Sequence, residues 1–332
     1  MATNANAGNN VKPTPPSTGI QTTISGTFSG LKPPMVNGVV ALINNAVVSF
    51  TAATPLLQAS TTPPAAFATP AHITGDMTNG VAIANGTDVA YLTGVGVSGA
   101  VWYTLPTPPL TTDSAIVSMC GDLANGLVIS DGKNILALQF SGSEAMEWTL
   151  LAAPPNPSLA VIDMAGDATN GVLLVMGPSA GGPSTLYWGA TGCSCSWTPI
   201  TSAGTSLPVA RVQVSNITGS YANGFVILGE NQLFTITTMK ATAGTGSVAG
   251  SCTCTLAKVA TPPPFAMTDM TGDATNGITA RAAASGMIAN ALTPFAAWTL
   301  VNAVAPATPP ATPPADQGKG GRHAVNQEAA AA

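Results

Sequence analysis

The chain has 332 residues, a formal charge of −5 at pH 7 and only 7% charged side chains, against roughly a quarter in an average soluble domain. So few charges, with 35 Gly and 28 Pro, argue against long ion-paired helices and for strands and turns. Nine Lys and Arg, clustered nowhere except around Lys319 and Arg322, leave no electrostatic footprint for nucleic acid.

In chain order, residues 1–19 are rich in Thr, Pro, Ala and Asn and are expected to form a flexible N-terminal arm. Met1 to Asn10 has neither the basic start nor the apolar stretch of a secretory signal. No apolar run reaches the roughly 20 residues of a membrane-spanning helix, so membrane insertion is not expected.

From residue 20 the chain repeats itself. Thr22 to Phe28 predicts a first strand, followed by a degenerate Asn37-Gly38. Five fuller copies come next: Ile73 to Gly80 (ITGDMTNG), Met119 to Gly126 (MCGDLANG), Met164 to Gly171 (MAGDATNG), Ile217 to Gly224 (ITGSYANG) and Met270 to Gly277 (MTGDATNG). The glycines at 38, 80, 126, 171, 224 and 277 lie 42, 46, 45, 53 and 53 residues apart. Behind each Asn-Gly an alternating apolar stretch, such as Leu127-Val-Ile-Ser130 or Phe225-Val-Ile-Leu228, predicts a strand of period two. A turn and a second apolar strand follow, then a Gly/Ser loop. An outer strand holding Trp102, Trp148, Trp197, Leu256 or Trp298 comes last, and Pro-rich punctuation such as Pro154-Pro155 closes the unit. Asn-Gly is expected to supply the positive φ angles of a hairpin turn, and the Asp three residues earlier to bond its amides. The turn residues are Asp76, Asn79, Gly80, Asp122, Asn125, Gly126, Asp167, Asn170, Gly171, Asn223, Gly224, Asp273, Asn276 and Gly277.

Four strands repeating at this period resemble the blades of β-propeller repeat proteins in general, over about residues 20–305. The resemblance implies an all-β, six-bladed propeller of four-stranded antiparallel blades at 20–305, followed by a Pro/Ala/Gly-rich tail at 306–332. No particular propeller family's signature accompanies it.

Candidate chemistry is sparse. Asp76, Asp122, Asp167 and Asp273 are carboxylates repeated at one position, a pattern a hard cation uses, but Asp also has a local reason to sit in such a turn, and no metal or other cofactor is expected. Gly177 to Gly181 (GPSAG) matches the nucleophile elbow of serine hydrolases without a helix to follow, and only His72 outside the tail is available as base. Cys193/Cys195 and Cys252/Cys254 form two C-x-C pairs whose members share a strand face, candidates for local or intermolecular disulfides or, in the alternative, buried free thiols, with Cys120 left over and expected to be buried. Trp102, Trp148, Trp197 and Trp298 recur once per unit, suiting packing between blades or, exposed on a rim, stacking on glycans. Asn85 and Asn216 head glycosylation sequons.

These residues lead to the expectation of a structural or interaction protein without enzymatic activity. It would be a propeller subunit packing against itself or other proteins of an assembly: a virion decoration, spike or fibre, or an extracellular surface appendage. The alternative expectation is a lectin-like, carbohydrate-binding propeller with sites repeated between blades.

Overall fold

The computed structural model describes residues 22–23, 39–43, 46–50, 58–67, 70–94, 99–139, 146–190, 196–202, 212–242, 251–261, 263–282, 288–293 and 295–301. They form strands joined by turns, with one short 3-10 turn at Ala65–Phe67. The first unit holds β1 (Thr22–Thr23), β2 (Val39–Ile43), β3 (Ala46–Phe50) and β4 (Gln58–Thr61). The second holds β5 (His72–Asp76), β6 (Gly80–Asn85), β7 (Asp88–Thr93) and β8 (Val101–Thr104), and the third β9 (Ser118–Asp122), β10 (Gly126–Ser130), β11 (Ile135–Leu138) and β12 (Trp148–Ala152). Then come β13 (Ala160–Asp167), β14 (Gly171–Gly177), β15 (Thr185–Gly189) and β16 (Trp197–Ser202). The fifth unit has β17 (Val214–Ser220), β18 (Gly224–Gly229), β19 (Gln232–Thr242) and β20 (Ser251–Lys258), and the sixth β21 (Met267–Asp273), β22 (Gly277–Ala282), β23 (Ile288–Leu292) and β24 (Trp298–Val301).

Each unit is an antiparallel meander in sequence order. Period two explains how the units assemble. On β10, Leu127 and Ile129 pack with Ala82, Ala84 and Val89 of the unit before, while Val128 between them packs with Met164, Val172 and Leu174 of the unit after. The same division recurs from the first pair of units to the fifth and sixth. Both faces of a blade are therefore apolar, and neither is covered until a neighbour stacks on it. Burying one such aliphatic side chain is worth about 1.5–3 kcal/mol. The first strands of successive units lie side by side, β5 on β9, β9 on β13, β13 on β17 and β17 on β21. With this stacking, the chain is an all-β propeller built from four-stranded antiparallel blades.

Units four and five depart from the pattern. Their outer strands β16 and β20 pair in parallel, Ile200 opposite Cys252 and Ser202 opposite Cys254, making one eight-stranded sheet.

The repeated turn is a three-residue hairpin. Asp122 pairs with Gly126 across Leu123 to Asn125. Positive φ falls on the glycines, 95° at Gly121 and 87° at Gly126, while the Asn residues of the turns are absent from the left-handed region. This corrects the expectation that Asn and Gly share it: the Asn contributes its side chain instead. A Cβ on Gly121 would collide with the carbonyl oxygen of Gly126. Gly121→Ala is accordingly expected to destabilise the protein by more than about 2 kcal/mol, against about 1 kcal/mol for Gly86→Ala, where φ is also positive but the space is open. Chemical denaturation of the two variants checks the ranking, and equal losses would refute it.

Candidate functional site at the propeller axis

The repeated turn carboxylates are committed locally. Asp122 Oδ1 accepts from the amides of Ala124 and Asn125 at 2.8 Å, and Asn125 Nδ2 donates to both carboxylate oxygens at 3.2 and 3.0 Å. Asp76, Asp167 and Asp273 make the same closure, and in unit five Ser220 Oγ stands in, accepting from Asn223 N at 3.3 Å. All four Asp are buried. Two of these turns also tie their blade to the one before. Thr169 Oγ1 donates to Asn125 O and Thr275 Oγ1 to Asn223 O, both at 2.8 Å. The four carboxylates are not gathered to one point, and among the described residues no group of three His, Cys, Asp or Glu is placed to hold a metal ion. Asp122→Ala is expected to cost about 2 kcal/mol or more, because it removes the charged acceptor on which the Ala124 and Asn125 amides and the Asn125 side chain all close the turn. Asp122→Ser should cost less, since Ser220 does this work in unit five. Equilibrium unfolding tests both, and a neutral Asp122→Ala would contradict this role.

The opposite end of the first strands is different in kind. Counting four residues beyond each motif glycine, the partner across the ladder is Thr23 (opposite Leu42), His72 (Ala84), Ser118 (Ser130), Asp163 (Val175), Asn216 (Leu228) and Asp269 (Arg281). This one register position is polar in all six units and varies from unit to unit. It lies about 13 Å along the strand from the turn. In units four, five and six the ladder slips by one residue immediately before it, at Ile162, Ser215 and Thr268, and such bulges re-aim neighbouring side chains.

Of these side chains, Ser118 and Asp163 meet directly, and Asp163 and Asn216 line one cavity. Asp163 links three blades: Oδ1 accepts from Ser118 Oγ at 3.1 Å and Met164 N at 2.9 Å, and Oδ2 from Ile217 N at 2.9 Å. Asp269 holds Arg281, whose Nε and Nη2 lie 3.0 and 2.9 Å from Oδ2. His72 Nε2 donates to Ile116 O at 3.1 Å. Burial lowers its pKa, against the raising effect of that bond. Asn216 Oδ1 is buried and has no hydrogen-bond partner among the described residues. Thr74, Cys120, Asp163, Ala165, Asn216 and Thr218 line one cavity here. Sequence reasoning missed this site because it looked for residues that repeat. The available signal was the column before each motif, polar every time and seldom the same.

Burial pushes Asp163 up to about 6 against the pull of the Ile217 and Met164 amides and the Ser118 hydroxyl, and pushes Asp273 up to about 6 against its own turn. A carboxyl whose folded pKa lies above its unfolded value contributes stability that is full below about 3.8 and is lost as pH rises through about 6. Asp131 has the reverse sign: its desolvation is outweighed by the amides of Thr111, Asn134 and Lys133, so its contribution is lost only as pH falls below the ordinary carboxylate range. Asp163 and Asp273 press the melting temperature down between about pH 4 and pH 6.5, while His72, held below its ordinary value by burial, presses it up as pH rises toward 6.5. The melting temperature of Asp163→Asn is therefore expected to fall less, or rise more, across this window than that of the parent chain, and an unchanged slope in a thermal-melt series of the variant would count against it.

The remaining candidates are placed as follows. The GPSAG segment is a turn between β14 and β15, closed by Gly181 N donating to Pro178 O, and no helix follows it. Cys120, Cys252 and Cys254 are buried free thiols. Burial, then the neighbouring Cys254, pushes Cys252 up to about 11. The disulfide expectation is corrected for this pair, which sits in the apolar core between blades four and five, while Cys193 and Cys195 lie outside the described residues. Trp102, Trp148, Trp197 and Trp298 are each half-buried. Trp148 Nε1 donates to Pro106 O of the preceding unit at 2.7 Å, and Trp298 packs edge-on to Phe265. Asn85 donates to Ala66 O.

No protein-family model matches the chain, and no curated protein matches it. Similar solved structures include a streptogramin B lyase (11% identity, 79% of each chain covered, TM-score 0.48) and the virginiamycin B lyase from Staphylococcus aureus (13% identity, 79% of this chain and 80% of that one, TM-score 0.45). YCF48 from Cyanidioschyzon merolae is similar at 13% identity over 87% of this chain and 86% of that one, with a TM-score of 0.45. The expectation of a chain without enzymatic activity is corrected here: lyases stand among its structural neighbours, so this architecture does not mark a protein as non-enzymatic. At such identities no activity passes to this chain.

Proposed function

We propose that the chain is a propeller subunit of a larger assembly, joined to its neighbours through the outer edges of its blades. We place that assembly on a virion, as decoration, spike or fibre, or on an extracellular surface appendage. The observation that carries the reading is the state of the outermost strands. Among the described residues β8, β12 and β24 each stand at the outer end of their sheets. Their sequences, VWYT, WTLLA and WTLV, contain no charge and no proline, the devices by which monomeric proteins blunt such edges. Val101, Tyr103 and Leu150 project from them at 45%, 46% and 58% exposure. Edge pairing between outer strands already occurs inside the molecule, where β16 meets β20. With 7% charged residues, the surface has little else to keep copies apart.

A carbohydrate-binding role is the second reading, favoured by Tyr91 and Tyr103, stacked 4.9 Å apart on β7 and β8 with Tyr103 open to solvent. A glycan array distinguishes them, since a lectin would show saturable binding that falls in Tyr103→Ala and Trp102→Ala.

Analytical ultracentrifugation of the full chain tests the assembly reading. Concentration-dependent association is expected, weakened by about tenfold or more in Leu150→Lys, as for a buried interface anchor, with thermal stability retained. A monomer at the highest attainable concentration, unaffected by that substitution, would refute it.

A further inference from the structure

Four features of the axial cavity point to one kind of occupant. First, its wall asks for hydrogen-bond donors. Asp163 offers two acceptor oxygens with about four lone-pair positions, of which three are engaged, and Asn216 Oδ1 is buried without a partner among the described residues. Buried polar groups are almost always satisfied in native proteins, and an exception on a cavity wall beside a carboxylate calls for an explanation. Second, the local charges do not cancel. Arg281 is held by Asp269, which leaves the carboxylate of Asp163 as one uncompensated negative charge. Third, the space is small, about 320 Å³ including its mouth. Fourth, the polar column is irregular just where the rest of the repeat is regular: blade four supplies Asp, blade three Ser and blade five Asn.

We propose that the cavity bounded by Asp163 and Asn216 binds a single protonated primary amine, an alkylammonium headgroup seated at the propeller axis. The ammonium donates one N–H to Asp163 and a second to Asn216 Oδ1, and its charge balances the carboxylate. Alternative cations fit less well. A hard divalent ion needs six or more oxygen ligands, and no group of three His, Cys, Asp or Glu is so placed among the described residues. A guanidinium needs a carboxylate edge free for its planar fork, and both oxygens of Asp163 already accept from other blades. An ammonium is a compact point charge whose three donors reach separate acceptors. The headgroup belongs either to a free small amine or to the lysine side chain of another protein, and these share the same chemistry.

Amide chemical-shift mapping on the full-length protein near pH 7.5 tests the site, with methylammonium chloride as probe and sodium chloride at matched ionic strength as control. Saturable shifts are expected at Met164 and Ile217, whose N–H groups touch Asp163. Tetramethylammonium, which has no N–H to donate, should give none. Asn216→Leu should weaken binding by about fivefold or more. Asn216→Asp, which keeps the size and adds a charge, should tighten it, so that the site is tested even if Asp163→Asn fails to fold. Blocked lysine and its acetylated form make the second arm. Tighter binding of blocked lysine than of methylammonium, lost on acetylation, assigns the headgroup to a protein side chain, and binding of methylammonium without blocked lysine assigns it to a small free amine. Equal shifts with sodium or tetramethylammonium, or affinity unchanged in both Asn216 variants, would overturn the proposal.

Discussion

Because Val128 and Ile129 point to opposite faces of the same strand and both are fully buried, no blade of this molecule can be stable by itself. Every sheet needs a neighbour on each side, and this shared burial dictates the order of everything else. Once blades must stack, their first strands are driven side by side around an axis. Equivalent residues then fall at equivalent heights, and short polar links can bridge the gaps between backbones. Thr74 Oγ1 donating to Gly121 O at 2.7 Å, and Thr218 Oγ1 donating to Gly272 O at 2.8 Å, are such links.

The two ends of the first strands divide the labour. At one end the turn repeats almost unchanged from the second unit to the sixth, since an Asp, or Ser220 in the fifth, with an Asn and two glycines solves a backbone problem common to those blades. At the other end the backbone problem is absent and only the side chain matters. The scaffold holds one register position of each first strand at the same distance from its turn while leaving the residue there free, and Ser118, Asp163, Asn216 and Asp269 show how that freedom is used. A repeat that fixes geometry without fixing chemistry is well suited to producing an asymmetric centre from near-identical parts.

The architecture was legible in the sequence because it rests on patterns that recur: Asn-Gly at intervals of 42 to 53 residues, apolar alternation after it, and an aromatic outer strand. Thr23 pairs with Leu42 in the same register that pairs His72 with Ala84, so even the degenerate first unit keeps the frame. The axial site was not legible by the same means. Asp163 sits one residue outside the repeated string, and its reach to Ser118 and Ile217 spans 45 and 54 residues of chain, distances that no local pattern encodes. The placement of positive φ was misjudged for a related reason: three intervening residues put the strain on the glycines alone, leaving Asn free to brace the carboxylate. The parallel pairing of β16 with β20 had no signal, because it joins strands from different units and depends on how the outer rims curve toward each other.

That lateral ladder makes the seams of the molecule unequal. Blades elsewhere are held to their neighbours by apolar contact and isolated polar links, both of which tolerate small sliding. Between the fourth and fifth, main-chain hydrogen bonds at Ile200, Thr201 and Ser202 fix the relative tilt, since sliding would have to break them in register. Local opening is therefore expected first at the other seams, with the fused pair as a keel for the remaining blades.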